Sequence, residues 1–483
     1  MNHDGISTDR IVTNWTGAVT NPVWRIRLTN ALCSLVVSGG KVYTQTTRPV
    51  GGQPKEICVA LSATNGVELW AAPLDDASYP HGGVGYDDGP RSTPAVADGG
   101  VFVLTSYLKL YRLDPATGSV VWQKDLPSLY GAVVIPWQNA ASPLIGNGLI
   151  YLNASTSSES LMALRTSDGS LAWRAQTAGL THSTPVLATI HGVPQVIFAT
   201  HQGVTSVNPT NGDLLWRASY PFFYNTSLAP SPVVWQDIVF IAAARAYAMG
   251  SVAYQASVSN GVWTASRLWW TNTIAAHWMT PICHEGHLFG QFGIFGFDSP
   301  NSQLTCLDIR TGVVKWQTPG FGRAGTVLVN NQLVSLTERG ELVLVKADTN
   351  AYVELGRFQA ILDYQPDSNK CWNGPAVSDG KIFVRSSSYV AGFDLSAPAL
   401  TLEPPEFVSA DTLALTVAAA NGAPLTSNRV AGMEVLTGTN LMESLSQWVK
   451  LTNDLILTNG RVRVDNIDAS EHPRRYFIVR EPD

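Results

Sequence analysis

Thr93-Pro94-Ala95-Val96-Ala97-Asp98-Gly99-Gly100-Val101-Phe102-Val103-Leu104, continued by Leu110-Tyr111-Arg112-Leu113-Asp114-Pro115-Ala116-Thr117-Gly118-Ser119-Val120-Val121-Trp122, decides the reading of this chain. Two β-rich runs meet across Asp98-Gly99-Gly100, a third ends at Asp114, and a fourth follows the Ala116-Thr117-Gly118 turn and ends on Trp122. The result is a four-stranded antiparallel meander. Such a sheet is apolar on both faces and cannot bury both by itself.

The same grammar recurs along the chain, with an apolar-x-Leu-Asp close to the third strand, a turn glycine, and an indole at a fixed offset. A period of roughly 40 to 50 residues with four strands per unit is the signature of a β-propeller. Unit one runs from Ser34-Leu35-Val36-Val37 to Trp70, and unit two is the opening stretch. Unit three ends at Trp173, unit four at Trp216, unit five, which is irregular, at Trp269-Trp270, and unit six at Trp316. Unit seven ends at Val353-Glu354-Leu355 and keeps a leucine where the indole belongs. Unit eight stops after three strands, at Gly392-Phe393-Asp394-Leu395, whereas Trp24 ends a fourth strand that has no unit. Joining the two predicts an eight-bladed ring in which the amino-terminal strand completes the last blade, leaving no long sheet edge unpaired. Trp24, Trp70, Trp122, Trp173, Trp216 and Trp316 then share one position of one pattern.

At 483 residues the chain exceeds the usual size of a single core, and repetition accounts for the excess. Charged residues are only 14%, with 41 Gly and 15 Trp, as turn-dense, aromatic-anchored β-structure requires. A net charge of −6 without basic runs argues against nucleic acid as a partner. There is no run of about 18 apolar residues, so no transmembrane segment is expected. The five cysteines (Cys33, Cys58, Cys283, Cys306, Cys371) have no Cys-x-x-Cys spacing and read as buried thiols.

The repeat grammar stops after Leu395. The expected organisation is an all-β propeller over residues 1–396, a Pro-rich linker over 397–406 containing Glu403-Pro404-Pro405-Glu406, and a small β-sandwich over 407–483.

With the repeats laid out, the chain resembles the pyrroloquinoline-quinone-like repeat proteins, the quinoprotein alcohol dehydrogenase-like superfamily of eight-bladed propellers. Leu113-Asp114-Pro115-Ala116-Thr117-Gly118 to Trp122 and Leu307-Asp308-Ile309-Arg310-Thr311-Gly312 to Trp316 carry the resemblance. It covers residues 2 to about 396 and is specific for fold, not for activity. It implies either a dehydrogenase holding pyrroloquinoline quinone with Ca²⁺ or a non-catalytic member similar to the propeller lipoprotein of the outer-membrane β-barrel assembly machinery. The dehydrogenases carry adjacent cysteines above the quinone, and this sequence has no Cys-Cys pair. Both branches are exported, so the resemblance implies a periplasmic, envelope or secreted protein. Asn2-His3-Asp4-Gly5-Ile6-Ser7 resembles the start of a mature domain whose signal peptide has been removed and replaced by Met1.

In a propeller the residue before each first strand stands at the mouth of the central channel, where ligands bind. That column reads Leu32, Arg91, Ala140, His182, Ala229, Trp278, Arg323, Trp372. Arg91, His182, Trp278, Arg323 and Trp372 suit a small planar anionic ligand, stacked on indole and paired with guanidinium. The plain alternative is a solvated rim. Asp87 and Asp88, beside Arg91, are candidates for a general base, although an aspartate before a turn glycine is ordinary turn chemistry. The long segment from Asp75 to Pro90 reads as a partial lid. His277, His284, Glu285 and His287 invite a metal reading, but they fall at opposite ends of a strand. Cys33 and Cys371 precede first strands of adjacent blades and are the one pair worth testing for a bridge. The leading expectation is a non-catalytic binding or scaffold protein that meets a protein or envelope component through its faces. A quinone-dependent alcohol or sugar dehydrogenase and a saccharide-binding module are the alternatives.

Overall fold

The computed structural model describes residues 5–13, 15, 20–79, 88–220, 228–243, 250–276, 278–293, 302–365, 368–420, 422–425, 427–470 and 474–481. The chain divides into two compact units, Met1–Leu395 and Ser396–Asp483. Among the described residues of the first unit there are seven four-stranded sheets and one five-stranded sheet, in chain order sheets one to eight. Sheet two shows the pattern: Ala95–Ala97, Gly100–Leu104, Lys109–Leu113 and Val120–Asp125 pair antiparallel in sequence order.

The middle strands explain why the sheets must stack. Gly100–Leu104 and Gly203–Val207 are buried along their whole length, so both of their faces need a neighbour. Each apolar core is shared by consecutive sheets. Tyr43, Cys58 and Ala60 of sheet one pack with Val101, Val103 and Leu113 of sheet two. Phe383 and Val390 of sheet eight pack with Val42, Val59 and Leu61 of sheet one.

Indoles fasten these seams. Trp70 Nε1 donates to Pro115 O (3.2 Å), Trp122 to Thr166 O (3.1 Å), Trp173 to Pro209 O (2.9 Å), and Trp316 to Asp348 O (2.8 Å), each time on the following sheet. Trp24–Arg27 forms the outer strand of sheet eight, with Trp24 opposite Gly392, and its indole donates to Ala63 O of sheet one at 3.0 Å. The turn glycine lets each ring approach. Gly118 has φ +73°, and a Cβ there would lie 2.5 Å from Trp70.

One indole settles a choice that the sequence left open, and another differs from the sequence expectation. In sheet five the docked ring is Trp269, bonded to Ile309 O at 2.8 Å, while Trp270 is 47% exposed. Trp216 donates instead to Gln195 Oε1 of its own sheet (2.9 Å). The following sheet has a long outer hairpin, Ser251–Ser259 and Val262–Thr271, whose turn at Asn260-Gly261 stands farther out along the strands.

The Ser/Thr-Pro starts have a role that the sequence pattern did not reveal. Ser34 N–H donates to Thr93 Oγ1, Thr93 N–H to Ser142 Oγ, Ser142 N–H to Thr184 Oγ1, and Ser231 N–H to Thr280 Oγ1, all at 2.9 Å. A belt of hydroxyls thus ties inner strands to their neighbours.

The amino-terminal segment does more than supply an outer strand. Ile6–Ser7 pairs parallel with Thr326–Val329, the inner strand of sheet seven. Val12 N–H then bonds Leu395 O of sheet eight (2.8 Å). Trp15, 3% exposed, packs on Phe358 with ring centroids 5.4 Å apart and closes over Gly356. An indole from far upstream therefore fills the seam beside Leu355.

In the second unit, Leu400–Leu402, Glu406–Ser409, Thr412–Ala419, Leu455–Thr458 and Arg461–Asp468 form one sheet, and Glu434–Gly438, Val449–Lys450 and Tyr476–Arg480 another. They share one core that includes Leu415, Val417, Val435, Val462 and Val464. Residues 400–402 correct the linker reading: Leu400 pairs with Ala419 and Leu402 with Val417. The Leu-Thr-Leu alternation between the prolines is enough to place a short strand.

Candidate functional site

The inner strands of the first unit surround a cavity of about 880 Å³. Arg91, His182, Trp278, Arg323 and Trp372 all line it, as do the small column residues Leu32, Ala140 and Ala229. They arrive together because each precedes the inner strand of a different sheet, with the hydroxyl belt linking sheets one to four and sheets five and six.

The structure pairs these side chains rather than leaving them open. Asp88 sits between two cations, with Lys370 Nζ at 2.6 Å and Arg91 Nη2 at 3.2 Å. Arg91 Nη1 also donates to Trp137 O at 2.9 Å. Glu338 holds the other side: Oε1 accepts Trp372 Nε1 at 2.9 Å and pairs with Arg323 Nε at 3.3 Å, and Oε2 accepts the Arg323 backbone N–H at 3.2 Å. The Trp278 and Trp372 rings lie 4.8 Å apart at 43°. Over Trp372 stand Arg323 Cζ at 4.9 Å and Lys370 Nζ at 4.7 Å, so Lys370 joins the two clusters.

His182 is buried, with Nε2 donating to Gln138 O at 2.8 Å. Burial first, and the Arg91 charge second, bring its pKa down to about 4, so the ring is neutral near pH 7. Sequence reasoning missed Lys370, Glu338 and Asn373. Lys370 and Asn373 flank Trp372 in Lys370-Cys371-Trp372-Asn373, where only the indole was counted. Glu338 lies in the turn between the second and third strands, which in an antiparallel sheet returns to the end where the first strand starts.

Asp88 is a poor candidate for a base, since both its oxygens are engaged by cations. Asp87, His277 and half of the lid stretch, residues 80–87, lie outside the described residues. His284 and His287 face each other across a hairpin turn and are not on the cavity wall. Cys33 and Cys371 are free and buried; burial, then Glu338, pushes the Cys371 thiol up to about 12. Cys33 Sγ lies instead against Thr44 Oγ1 (3.3 Å) and Arg385 Nη1 (3.3 Å).

A quinone with Ca²⁺ does not fit this donor set. Among the described residues no group of three His, Cys, Asp or Glu could hold a metal ion, and both nearby carboxylates are bound by cations. The half-buried Trp372 ring is already in contact with Trp278, Arg323 and Lys370, which compete with a flat ligand for its faces.

Away from the cavity, Glu56 of sheet one is fully buried and accepts Tyr79 OH (2.9 Å) and Ser106 N–H (3.2 Å). Burial raises its pKa to about 7.

Repeated four-stranded sheets with indoles docked on turn glycines define a PQQ-like repeat propeller. The family model described as outer membrane protein assembly factor BamB matches residues 53–318, and the chain belongs to that family. The protein of that name from Moranella endobia (strain PCIT) is 25% identical over 264 residues, 52% of this chain. Those residues span 63% of the relative's length. The crystal structure of BamB from Moraxella catarrhalis superposes with a TM-score of 0.52 at 14% identity, over 77% of this chain and 97% of that one, which speaks for fold alone. Quinohemoprotein alcohol dehydrogenase ADHIIG from Pseudomonas putida HK5 gives a TM-score of 0.44 at 14% identity, over 81% and 79% of the two chains, and carries no argument.

Proposed function

We propose that this protein is a non-catalytic scaffold of the cell envelope that binds protein partners through the faces of its propeller during outer-membrane protein assembly. Membership of the family over residues 53–318 carries the reading, because the family's description names that process. The first unit is an eight-bladed ring whose last blade is completed by Trp24–Arg27. Supporting closure, the Trp24 indole reaches sheet one and the core of Phe383 and Val390 continues into Val42 and Val59. The second unit is a small β-sandwich, supported by two sheets on one core. A periplasmic location goes with this reading; among the described residues, no helix is long and apolar enough to cross a membrane.

The test is complementation. Exported into a bacterium that lacks its own family member, the chain should restore the level of outer-membrane β-barrel proteins and co-purify with the outer-membrane β-barrel assembly machinery. Failure of both, with the protein present and folded in the periplasm, would overturn the proposal.

A further inference from the structure

The cavity has an apolar shaft beneath its charged mouth. Val36, Val96, Val186, Val234 and Ile282 line it. The hydroxyl oxygens of Thr93, Ser142, Thr184 and Thr280 accept backbone N–H groups in the belt, which leaves the valine and isoleucine side chains as the shaft's main apolar surface. At the end away from the mouth, Gly5 and Ile6 narrow the space. Gly5 O accepts Leu328 N–H at 2.9 Å, and a Cβ on Gly5 would come within 2.4 Å of Ile282 on the neighbouring sheet.

Among the described residues, the mouth carries an excess of one positive charge. Arg91, Arg323 and Lys370 face two carboxylates, Asp88 and Glu338. His182 adds none. On the same wall Asn373, 1% exposed, has an amide Nδ2 without a partner. A buried donor left unsatisfied costs about 1–3 kcal/mol and is a place for an acceptor. The volume is within the range of roughly 300–1,000 Å³ usual for small-molecule sites.

We propose that the cavity binds an amphiphilic monoanion, a medium- or long-chain carboxylate, with its acyl chain in the shaft and its head group at Arg91, Lys370 and Asn373. The valine and isoleucine shaft favours an acyl chain over a saccharide or a small inorganic anion, and the contacts already made by the Trp372 ring disfavour a flat aromatic occupant. This site is independent of the scaffold role, because complementation and ligand binding are read separately.

Isothermal titration of the full chain with dodecanoate, below its micellar concentration, tests the inference. Saturable binding with one ligand per chain is expected, at least about tenfold tighter than dodecanol and with no measurable binding of butyrate. Ala229→Trp, which fills the mouth, should abolish binding at unchanged Tm, and Lys370→Met should weaken it about tenfold or more. If Ala229→Trp does not fold, Val234→Phe, which obstructs the shaft, serves in its place. Absence of saturable heat, equal affinity for dodecanol, or full binding by the obstructed variant would each overturn the proposal.

Discussion

At the scale of single residues, stability rests on indoles that each have one identifiable seat. Trp70→Ala should cost roughly 3–5 kcal/mol in denaturant unfolding, the range for truncating a buried aromatic, whereas Trp270→Ala, at a half-exposed ring, should cost clearly less. The sequence made five of these seats legible, those of Trp24, Trp70, Trp122, Trp173 and Trp316, because an indole recurring at one position of a repeat is a local pattern, whereas Trp216 bonds within its own sheet. It could not tell Trp269 from Trp270, since adjacent strand residues face opposite ways and only the register decides. Trp15 was invisible for a different reason: it belongs to no repeat. Two buried acids and bases give opposite pH slopes. Glu56 is raised from 4.5 to about 7, so the folded state holds its proton longer than the unfolded state, and its contribution is lost as pH rises through that window. His182 is lowered from 6.5 to about 4, so the unfolded state takes the proton first and stability falls as pH drops through that window. In Tm measured against pH, Glu56→Gln should leave a curve that climbs more steeply from pH 4.5 to 6.5 than the wild type, and His182→Gln one that declines.

At the scale of elements, the seam between sheets eight and one is the place where chain ends meet. Arg385 of sheet eight, fully buried, bonds Gln45 O at 3.0 Å and also Thr44 Oγ1 of sheet one. Arg385→Ala should lose about 3 kcal/mol or more, since hydrogen bonds to a charged group are worth about 1.5–3 kcal/mol each. The chain freed of residues 1–27 should expose the edge of Tyr389–Asp394 and aggregate, and a peptide spanning residues 20–30 should restore solubility in light-scattering assays. Full solubility without the peptide would contradict that role. The position of Trp24–Arg27 was readable by counting, three strands here and one there. Pairing of Ile6–Ser7 with Thr326–Val329 was not, because a two-residue strand has no period to detect. The cavity column was legible for the same reason as the strands, by aligning the Ser/Thr-Pro starts. The ion pairs within it were not, as Glu338 and Lys370 come from a hairpin turn and from a neighbour of a column residue.

At the scale of the whole molecule, each unit keeps its own core, so a chain ending at Leu395 should fold with a cooperative thermal transition of its own. The repeats made the first unit's class clear from sequence, because every sheet poses the same burial problem and stacking is its solution. Nothing comparable marks the second unit, whose strands share no motif. The claim on which the ring, its seams and its cavity depend is that the amino-terminal strand completes the eighth sheet. Hydrogen–deuterium exchange on Trp24–Arg27 tests it most directly. Protection comparable to that of Tyr389–Asp394, lost together with it in denaturant, is the expected result; exchange of Trp24–Arg27 at the rate of a free peptide while Tyr389–Asp394 stays protected would contradict the account.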